Sequence, residues 1–178
     1  MERISVVGVS GAGKTTLART LAERLGIPRI ELDAVYHQPE WTPLPTPEFR
    51  AAVTDACAGP RWVACGNYSA VQDLVWDRAD TVVVLDLPKR TTTRRVIGRT
   101  LRRTLTGVEL WNGNRERLRN ALALHDRERS VIAWSWHSHV RTRARYRAAA
   151  QDPRWAHLHF VTLASPAAVR EWLAGVAR

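Results

Sequence analysis

The chain has few of the residues that hold disulfide-rich, metal-bound or membrane proteins together. Of its 178 residues only Cys57 and Cys65 are cysteine, too few for a disulfide framework or a four-ligand zinc site. No apolar run approaches the ~18 residues that a membrane-spanning helix needs. The start, MERISVVGVSG, lacks the basic region and long apolar segment of a secretion signal. We therefore expect a cytoplasmic protein without a membrane segment.

Lysine is also scarce, because 25 of the 27 basic residues are arginine and only Lys14 and Lys89 are lysine. With 17 acidic residues the net charge is +10, and the sequence pI is near 11.0. Such a surface attracts polyanions, among them nucleoside triphosphates, nucleic acids and phosphorylated metabolites. The 45% apolar content is enough for a buried core. The length predicts a single domain over residues 1–178.

Short apolar runs alternate with helical patterns along most of the chain. In the segment Lys14–Leu25, for example, leucines recur at i, i+4 and i+8. The alternation predicts an α/β fold with a parallel sheet and helices on both faces. A long arginine-rich helical stretch is interrupted near Thr106–Asn114, which predicts a short helical lid over about residues 104–117. The predicted strands are Ile4–Gly8, Arg29–Leu32, Trp62–Cys65, Thr81–Leu87 and Leu158–Leu163.

Residues 8–15, GVSGAGKT, match the full G-x-x-x-x-G-K-[ST] pattern between the first strand and the first helix. Glycines let backbone N–H groups converge on phosphate oxygens, and the helix N-terminus adds its positive dipole end. We expect the Lys14 ammonium to reach the β- and γ-phosphates and the Thr15 hydroxyl to hold Mg²⁺. The motif therefore predicts a P-loop NTPase that binds ATP and Mg²⁺. The predicted nucleotide-binding residues are Gly8, Ser10, Gly11, Ala12, Gly13, Lys14, Thr15 and Thr16.

Several segments beyond the P-loop resemble one group of small kinases. The stretch GVSGAGKTTLARTLAERLGIP is followed by ELDAVYHQPEWTP, GNYS and DTVVVLDLP. In this order the segments resemble the adenylate-kinase-related proteins of the FlaR-like group, often labelled DNA topology modulation proteins, over about the first 100 residues. The resemblance implies an ATP-dependent phosphotransferase whose five-stranded parallel sheet has the order 2-3-1-4-5. It leaves the phosphoryl acceptor open.

Two carboxylates, Glu31 and Asp33, follow the second predicted strand at the edge where open parallel sheets bind ligands. Their spacing places both on one side of an extended chain. In the kinases that this chain resembles, an acid here binds or deprotonates the acceptor hydroxyl. We assign that role to Asp33 and a water-mediated contact with Mg²⁺ to Glu31. The alternatives are a solvated strand-edge acid at Glu31 and a helix cap at Asp33.

The end of the third predicted strand departs from the adenylate-kinase pattern. Kinases of that kind usually carry Asp-Gly here, and the aspartate orients Mg²⁺ through water, whereas this chain has Cys65-Gly66. A thiol does not replace a hard oxygen ligand for Mg²⁺. Either Glu31 or Asp33 takes over this role, or metal binding and turnover are weak. Asp86 is interpreted as a structural turn residue, and no neighbouring base marks Cys65 as a nucleophile.

The predicted acceptor side departs from that pattern as well. Adenylate-kinase-like enzymes follow the glycine with an aromatic residue, a proline and an arginine that holds the monophosphate, but here the run is NYSA. We predict that Gly66, Asn67 and Tyr68 bind the acceptor through hydrogen bonds and a ring face. Arg50 is the candidate phosphate ligand in place of the missing arginine. Trp41, in a proline-rich loop near the acidic pair, is the candidate pocket wall.

Arginines recur at i, i+4, i+7 and i+8 on one face of the helix that follows the fourth predicted strand. In kinases of this shape, arginines from this helix and the lid stabilise the charge on the transferred phosphoryl group. We nominate Arg99 and Arg103 as catalytic, with Arg95 as a salt-bridge alternative and a solvated basic face as the alternative for all. In the lid, the candidate acceptor contacts are Glu109, Trp111 and Asn114.

The sequence therefore predicts a small P-loop kinase that transfers the γ-phosphoryl group of ATP to a small acceptor. The acceptor is a nucleoside monophosphate or a hydroxylated metabolite, and the protein is a monomer or a homodimer. A less favoured alternative, motivated by the net charge of +10, is an ATP-dependent regulator that binds nucleic acid. No nucleic-acid-binding signature accompanies that charge. A third alternative, motivated by Cys65, is an ATP-binding protein with little turnover.

Overall fold

The computed structural model describes residues 1–116 and 131–176 of the chain. Five strands form one parallel sheet in the order β2-β3-β1-β4-β5. The observation confirms the predicted α/β class and the order 2-3-1-4-5. The strands are β1 (Arg3–Gly8), β2 (Arg29–Glu31), β3 (Trp62–Cys65), β4 (Thr81–Leu85) and β5 (His159–Leu163).

Helices follow each strand, as the alternating pattern predicts. The second strand is shorter than predicted, because Leu32 is buried as the first residue of a helix instead. No helix in the described ranges combines the length and the apolar character that a membrane crossing requires. The helices are α1 (Lys14–Leu25), α2 (Leu32–Tyr36), α3 (Thr46–Ala56), α4 (Gln72–Trp76), α5 (Lys89–Thr106), α6 (Val131–Ala149) and α7 (Pro166–Gly175). Single 3₁₀ turns lie at Pro39–Trp41, Ser69–Val71, Trp111–Gly113 and Pro153–Trp155.

The central strands are covered on both faces. Since side chains alternate along a strand, Val82 and Val84 pack into the layer that contains α3, α4 and α6. Val83 and Leu85 pack into the opposite layer, which contains α1 and α7. All five residues of β4 are buried, which explains its continuous β-branched run. The buried sheet therefore supports the segments that follow its strands at the carboxyl edge.

Four segments converge at the carboxyl edge of the sheet. The P-loop follows β1, α2 follows β2, residues 66–70 follow β3, and a short turn leads from β4 into α5. Helix α5 ends at Thr106 and is followed by Gly107, whose φ of 59° is left-handed. The chain then folds back through a bridge between Glu109 and Arg115. Residue 117, the end of the predicted lid, lies outside the described residues.

Candidate active site

The P-loop lies at one end of a cleft of about 1570 Å³. Its glycines permit a conformation that other residues resist: φ is 143° at Gly8 and 78° at Gly11. A Cβ atom at Gly8 would lie 2.6 Å from the carbonyl oxygen of Leu85, and one at Gly11 would clash with the carbonyl oxygen of Thr92. The loop is therefore pressed against β4 and α5. Seven of the eight predicted nucleotide-binding residues line the cleft: Ser10, Gly11, Ala12, Gly13, Lys14, Thr15 and Thr16.

The Lys14 ammonium is held by the loop itself. Its Nζ donates to the carbonyl oxygens of Gly8 at 2.9 Å and Val9 at 3.2 Å. Burial lowers the pKa of Lys14, while the Asp33 carboxylate opposes that shift. A buried ammonium whose only partners are carbonyl oxygens is stabilised further when an anion binds beside it. Lys14 is therefore positioned to bind a phosphate group.

Glu31, at the end of β2, reaches the P-loop threonine. The Thr15 hydroxyl donates to Glu31 Oε1 at 3.2 Å, and Arg29 pairs with Glu31 Oε2 at 2.8 Å. The Glu31 side chain is only 11% exposed, so it is not the solvated strand-edge acid of the alternative interpretation. The structure brings together the two residues that the sequence predicts for Mg²⁺.

Cys65 lies beside Glu31, since the two residues are partners in the register of β2 and β3. Its side chain is buried. Burial, with the Glu31 and Asp33 carboxylates nearby, raises the pKa of the Cys65 thiol to about 12. The thiol is therefore protonated and unreactive at neutral pH. A carboxylate stands one strand away from the position where the adenylate-kinase pattern has its aspartate.

Asp33 lies in the first turn of α2 and lines the same cleft as Lys14. No side chain caps the N-terminus of α2, so the structure does not support a helix-capping role for Asp33. Its Oδ1 instead accepts a hydrogen bond of 2.7 Å from the Tyr68 hydroxyl. The fold thus joins two predicted acceptor-side residues that are 35 positions apart in sequence.

Two predicted acceptor ligands have other partners in the structure. Arg50 does not line the cleft: its guanidinium forms two hydrogen bonds with Asp73, at 2.9 and 2.8 Å, and one of 2.5 Å with the carbonyl oxygen of Ala70. Gly66 is also outside the cleft lining, and a Cβ there would lie 2.7 Å from Leu32 Cβ. Arg50 therefore joins α3 to α4, and Gly66 permits close packing. Neither position is placed to bind an acceptor.

Asn67 lines the cleft, but its amide is used to hold the P-loop. Its Oδ1 accepts from the Gly8 N–H at 3.2 Å, and its Nδ2 donates to the Gly8 carbonyl at 2.5 Å. The Tyr146 hydroxyl of α6 donates to the same Oδ1 at 3.0 Å. These three contacts use both lone pairs of Oδ1 and one of the two hydrogens of Nδ2. Asn67 therefore bridges the P-loop and α6, and an acceptor contact through its remaining N–H stays a prediction.

Helix α5 brings its arginines over the cleft. Arg95 Nη1 donates to the Ala12 carbonyl at 3.3 Å, and Arg103 pairs with Glu116 at 2.9 Å. Arg99 lies between them: burial lowers its pKa, Arg103 adds to that shift, and Glu116 and Asp33 oppose it. Within the described ranges the buried Nε of Arg99 has no hydrogen-bond partner. The predicted catalytic arginines thus face the cleft rather than form a solvated surface.

Two asparagines of the lid tip form hydrogen bonds with α2 and with the segment after it. The Asn114 side chain is 3% exposed, accepts from the Trp41 N–H at 2.8 Å and donates to the Gln38 carbonyl at 2.9 Å. Asn112 donates to the carbonyl oxygens of Ala34 and His37, at 3.1 and 2.6 Å. The Asn114 Nδ2 also donates to the Trp111 carbonyl, so both N–H groups are used, and Asn114 does not line the cleft. Asn114 therefore holds the lid tip in place, and the structure does not support the predicted acceptor contact.

Three rings, His37, Trp41 and Trp111, form what we call the aromatic wall of the cleft. The rings of His37 and Trp111 are nearly parallel, with centroids 6.2 Å apart, and Trp41 stands at 88° to Trp111. All three line the cleft, so Trp41 is placed where a pocket wall would need it, and its contact with an acceptor stays a prediction. Sequence reasoning missed His37, although its spacing of i+4 from Asp33 placed both on one helical face.

Asp86, interpreted from the sequence as a structural turn residue, follows β4 and pairs with two arginines. It accepts hydrogen bonds from Arg143 and Arg147 of α6. Burial disfavours its charged form, but these arginines outweigh burial and lower its pKa. The pairs anchor α6 to the end of β4, and no sequence signal identified Arg143 as the partner.

The comparisons with known proteins agree with this architecture. A family model described as an AAA domain matches residues 4–178 of the chain. The chain is similar to the structure of a gluconokinase from Sinorhizobium meliloti 1021, at 24% identity and a TM-score of 0.51, over 98% of this chain and 90% of that one. It is also similar to a shikimate kinase from Acinetobacter baumannii in complex with shikimate, at 21% identity and a TM-score of 0.57, over 98% and 89% of the two chains.

A third similar structure is an unliganded sugar kinase from Janibacter sp. HTCC2649, at 18% identity and a TM-score of 0.50, over 98% of this chain and 93% of that one. No curated protein matches the sequence. At these identities the likenesses show a shared fold, and they do so over almost the full length of each chain.

Proposed function

The chain belongs to the AAA domain family, and from this premise we propose that it is an ATP-dependent phosphotransferase acting on a small hydroxylated metabolite. The observation that carries the proposal is the placement of Asp33 and the P-loop Lys14 in one cleft. One cleft thus contains a lysine that can bind the phosphoryl donor and a carboxylate that can accept the proton of the acceptor hydroxyl. The similar structures, which include a gluconokinase and a shikimate kinase, support this reading of the cleft.

The nucleotide end of the cleft fits a triphosphate. Lys14 has only the two carbonyl oxygens as hydrogen-bond partners within the described residues, and Arg95 lies beside the loop at Ala12. Backbone N–H groups at the start of α1 add to this positive end. We propose that Lys14 turns from the Gly8 and Val9 carbonyls to the phosphates when ATP binds.

The residues present also fit Mg²⁺. Thr15 and Glu31 supply hard oxygen atoms 3.2 Å apart, the donor type that Mg²⁺ prefers. Thr15 would hold the ion directly and Glu31 would hold it through water. Glu31 would thus take the role of the aspartate that the adenylate-kinase pattern has at the position of Cys65. When bound, Mg²⁺ neutralises charge on the phosphate oxygens.

The remaining steps belong to the chain's own side chains. Asp33 accepts the proton of the acceptor hydroxyl at Oδ2, because Oδ1 is taken by Tyr68. Arg99 and Arg103 stabilise the negative charge of the transferred group from α5. The lid tip, fastened by Asn114, helps to exclude water from the cleft.

We favour a hydroxylated, ring-bearing metabolite over a nucleoside monophosphate. The expected monophosphate ligand, Arg50, is paired with Asp73 and does not line the cleft. The acceptor end offers the aromatic wall and the carboxylate of Asp33, groups suited to a ring face and a hydroxyl. Membership of the FlaR-like group, a cytoplasmic location and a monomeric or dimeric state remain parts of this proposal.

The test is ADP release with Mg²⁺ and ATP over a panel of acceptors. The panel contains nucleoside monophosphates, nucleosides, sugars, hydroxy acids such as shikimate and gluconate, and hydroxylated antibiotics. We expect turnover with a hydroxylated acceptor that is abolished in Lys14→Ala and strongly reduced, to a measurable residual rate, in Asp33→Asn. ATP binding without turnover across the panel would count against the proposal. Strongly salt-dependent duplex binding in that case would support the nucleic-acid regulator instead.

A further inference from the structure

Three polar side chains form a chain of contacts at the acceptor end of the cleft. The Tyr68 hydroxyl lies 2.7 Å from Asp33 Oδ1 and 3.3 Å from His37 Nε2. Asp33 and His37 come from α2 and the residue after it, whereas Tyr68 follows β3. The contacts are partly buried. Such a short, shielded network restricts the orientation of each member.

The directions of the hydrogen bonds follow from the donors available. Tyr68 has one hydrogen, which it gives to the Asp33 carboxylate, because an ionised carboxylate only accepts. The second contact at the phenol oxygen must then be donated by the Nε2–H of His37. Burial lowers the pKa of His37, against the influence of Asp33, so the imidazole is neutral and carries one N–H. Burial also raises the pKa of Tyr68 well above its usual value and keeps the phenol as a donor.

The position of the phenol is fixed by ring packing. The Tyr68 ring lies with its centroid 4.7 Å from that of Tyr36 and 5.1 Å from that of Phe49. These contacts hold the ring independently of its hydroxyl. Among the described residues, Asp33 Oδ2 makes no hydrogen bond, so it is the oxygen left open to the cleft.

We propose that Tyr68 is a positioning residue for Asp33, and that His37 supports Tyr68 by donating to its hydroxyl. The network turns Oδ2 of Asp33 toward the acceptor hydroxyl and holds it there. This inference rests on the proposed function, since it concerns the base of that reaction. It also reassigns Tyr68, which the sequence predicts to bind the acceptor directly.

The first experiment removes the hydroxyl alone with Tyr68→Phe, which preserves the ring packing. A lost hydrogen bond to a charged group predicts a fall in kcat of about tenfold or more, with the KM for ATP unchanged. In an Asp33→Asn background, Tyr68→Phe should reduce the residual turnover no further, because the carboxylate that it positions is gone. Equal losses in both backgrounds would overturn the proposal.

Tyr146→Phe is the matched control. It also removes a buried tyrosine hydroxyl, but one that donates to Asn67 rather than to Asp33. Whatever its effect on turnover, that effect should be the same with Asp33 and with Asn at position 33. If Asp33→Asn itself retained full activity, the proposed base would fail, and that outcome is distinct from a failure of Tyr68 to couple to Asp33.

The second experiment tests the donor at His37. The side-chain amide of His37→Gln provides an N–H near the Nε2 position, whereas His37→Leu provides none. Both variants lose a ring of the aromatic wall, so the KM for the acceptor should rise in both. We expect a kcat that is severalfold higher in His37→Gln than in His37→Leu. Equal kcat values in the two variants would contradict the role of His37. An ATP affinity equal to that of the wild type would show that each variant is folded.

Discussion

Eight consecutive residues, 10–17, line the nucleotide end of the cleft, whereas Asp33, Tyr68 and Trp111 line its acceptor end from three separate segments. The nucleotide end works through backbone N–H groups, a helix N-terminus and one lysine. The acceptor end works through the side chains of Asp33, Tyr68 and the aromatic wall. A site formed by consecutive residues can be recognised as one sequence motif. A site formed by side chains that are distant in sequence is assembled only when the chain folds.

The two ends should therefore respond to different substitutions. Gly11→Ala is expected to disable the nucleotide end, because its Cβ would meet the Thr92 carbonyl and Val96 of α5 at a φ of 78°. We predict about a thousandfold lower turnover and weaker ATP binding, since displaced N–H groups no longer meet the phosphates. The free energy of unfolding should fall by about 3 kcal/mol.

ADP release and thermal unfolding measure these effects. The matched control is Gly98→Ala in α5, where a Cβ would meet nothing within 4 Å. An alanine there should be neutral or slightly stabilising. Normal ATP affinity in Gly11→Ala would show that the loop does not require its observed backbone geometry.

Arg99 connects the two ends of the cleft and should affect the chemical step. Arg99→Ala removes a half-buried charge that faces both Asp33 and Glu116. We predict a fall in kcat of about a hundredfold with little change in either KM, because the arginine acts on charge formed during transfer. Arg102→Ala, on the exposed side of the same helix, is the control and should match the wild type. Equal effects of the two variants would indicate a general loss of positive potential.

The same contrast decides how much the sequence could predict. The strand order implied by the resemblance is confirmed by the structure. The P-loop residues, Asp33, Arg99 and Trp41 line the cleft, and their roles stay predictions. These features depend on local spacing or on the edge of a parallel sheet, both readable from a sequence.

The structure differs from the sequence-based expectations where a side chain forms hydrogen bonds with residues that are distant in sequence. Arg50 pairs with Asp73, and Asn67 holds Gly8, because the fold places those partners nearest. Asn112 and Asn114 bind, more than 70 positions back in the sequence, to α2 and to the segment after it. No local pattern encodes such pairings, since they depend on how helices and loops meet at the sheet edge.

Trp111 tests whether the lid contributes to acceptor selection. Trp111→Ala removes one ring of the aromatic wall, and we predict a KM for the acceptor about tenfold higher with an unchanged KM for ATP. Trp136→Ala is the matched control, because Trp136 is 47% exposed on α6 and does not line the cleft. A change in the KM for ATP instead would mean that the lid serves the nucleotide end.

Cys65 is the partner of Glu31 in the register of β2 and β3, and its expected effect is the smallest. Burial raises the pKa of its thiol to about 12, so at pH 8 almost none of it is the thiolate that iodoacetamide modifies. We predict that the native enzyme is neither alkylated nor inactivated at pH 8. Cys57, also buried with a pKa of about 11, should be equally inert. Mass spectrometry should find both cysteines alkylated after unfolding in denaturant. Rapid native alkylation of Cys65 with loss of turnover would contradict its buried, protonated state and reopen a direct role for the thiol at the metal site.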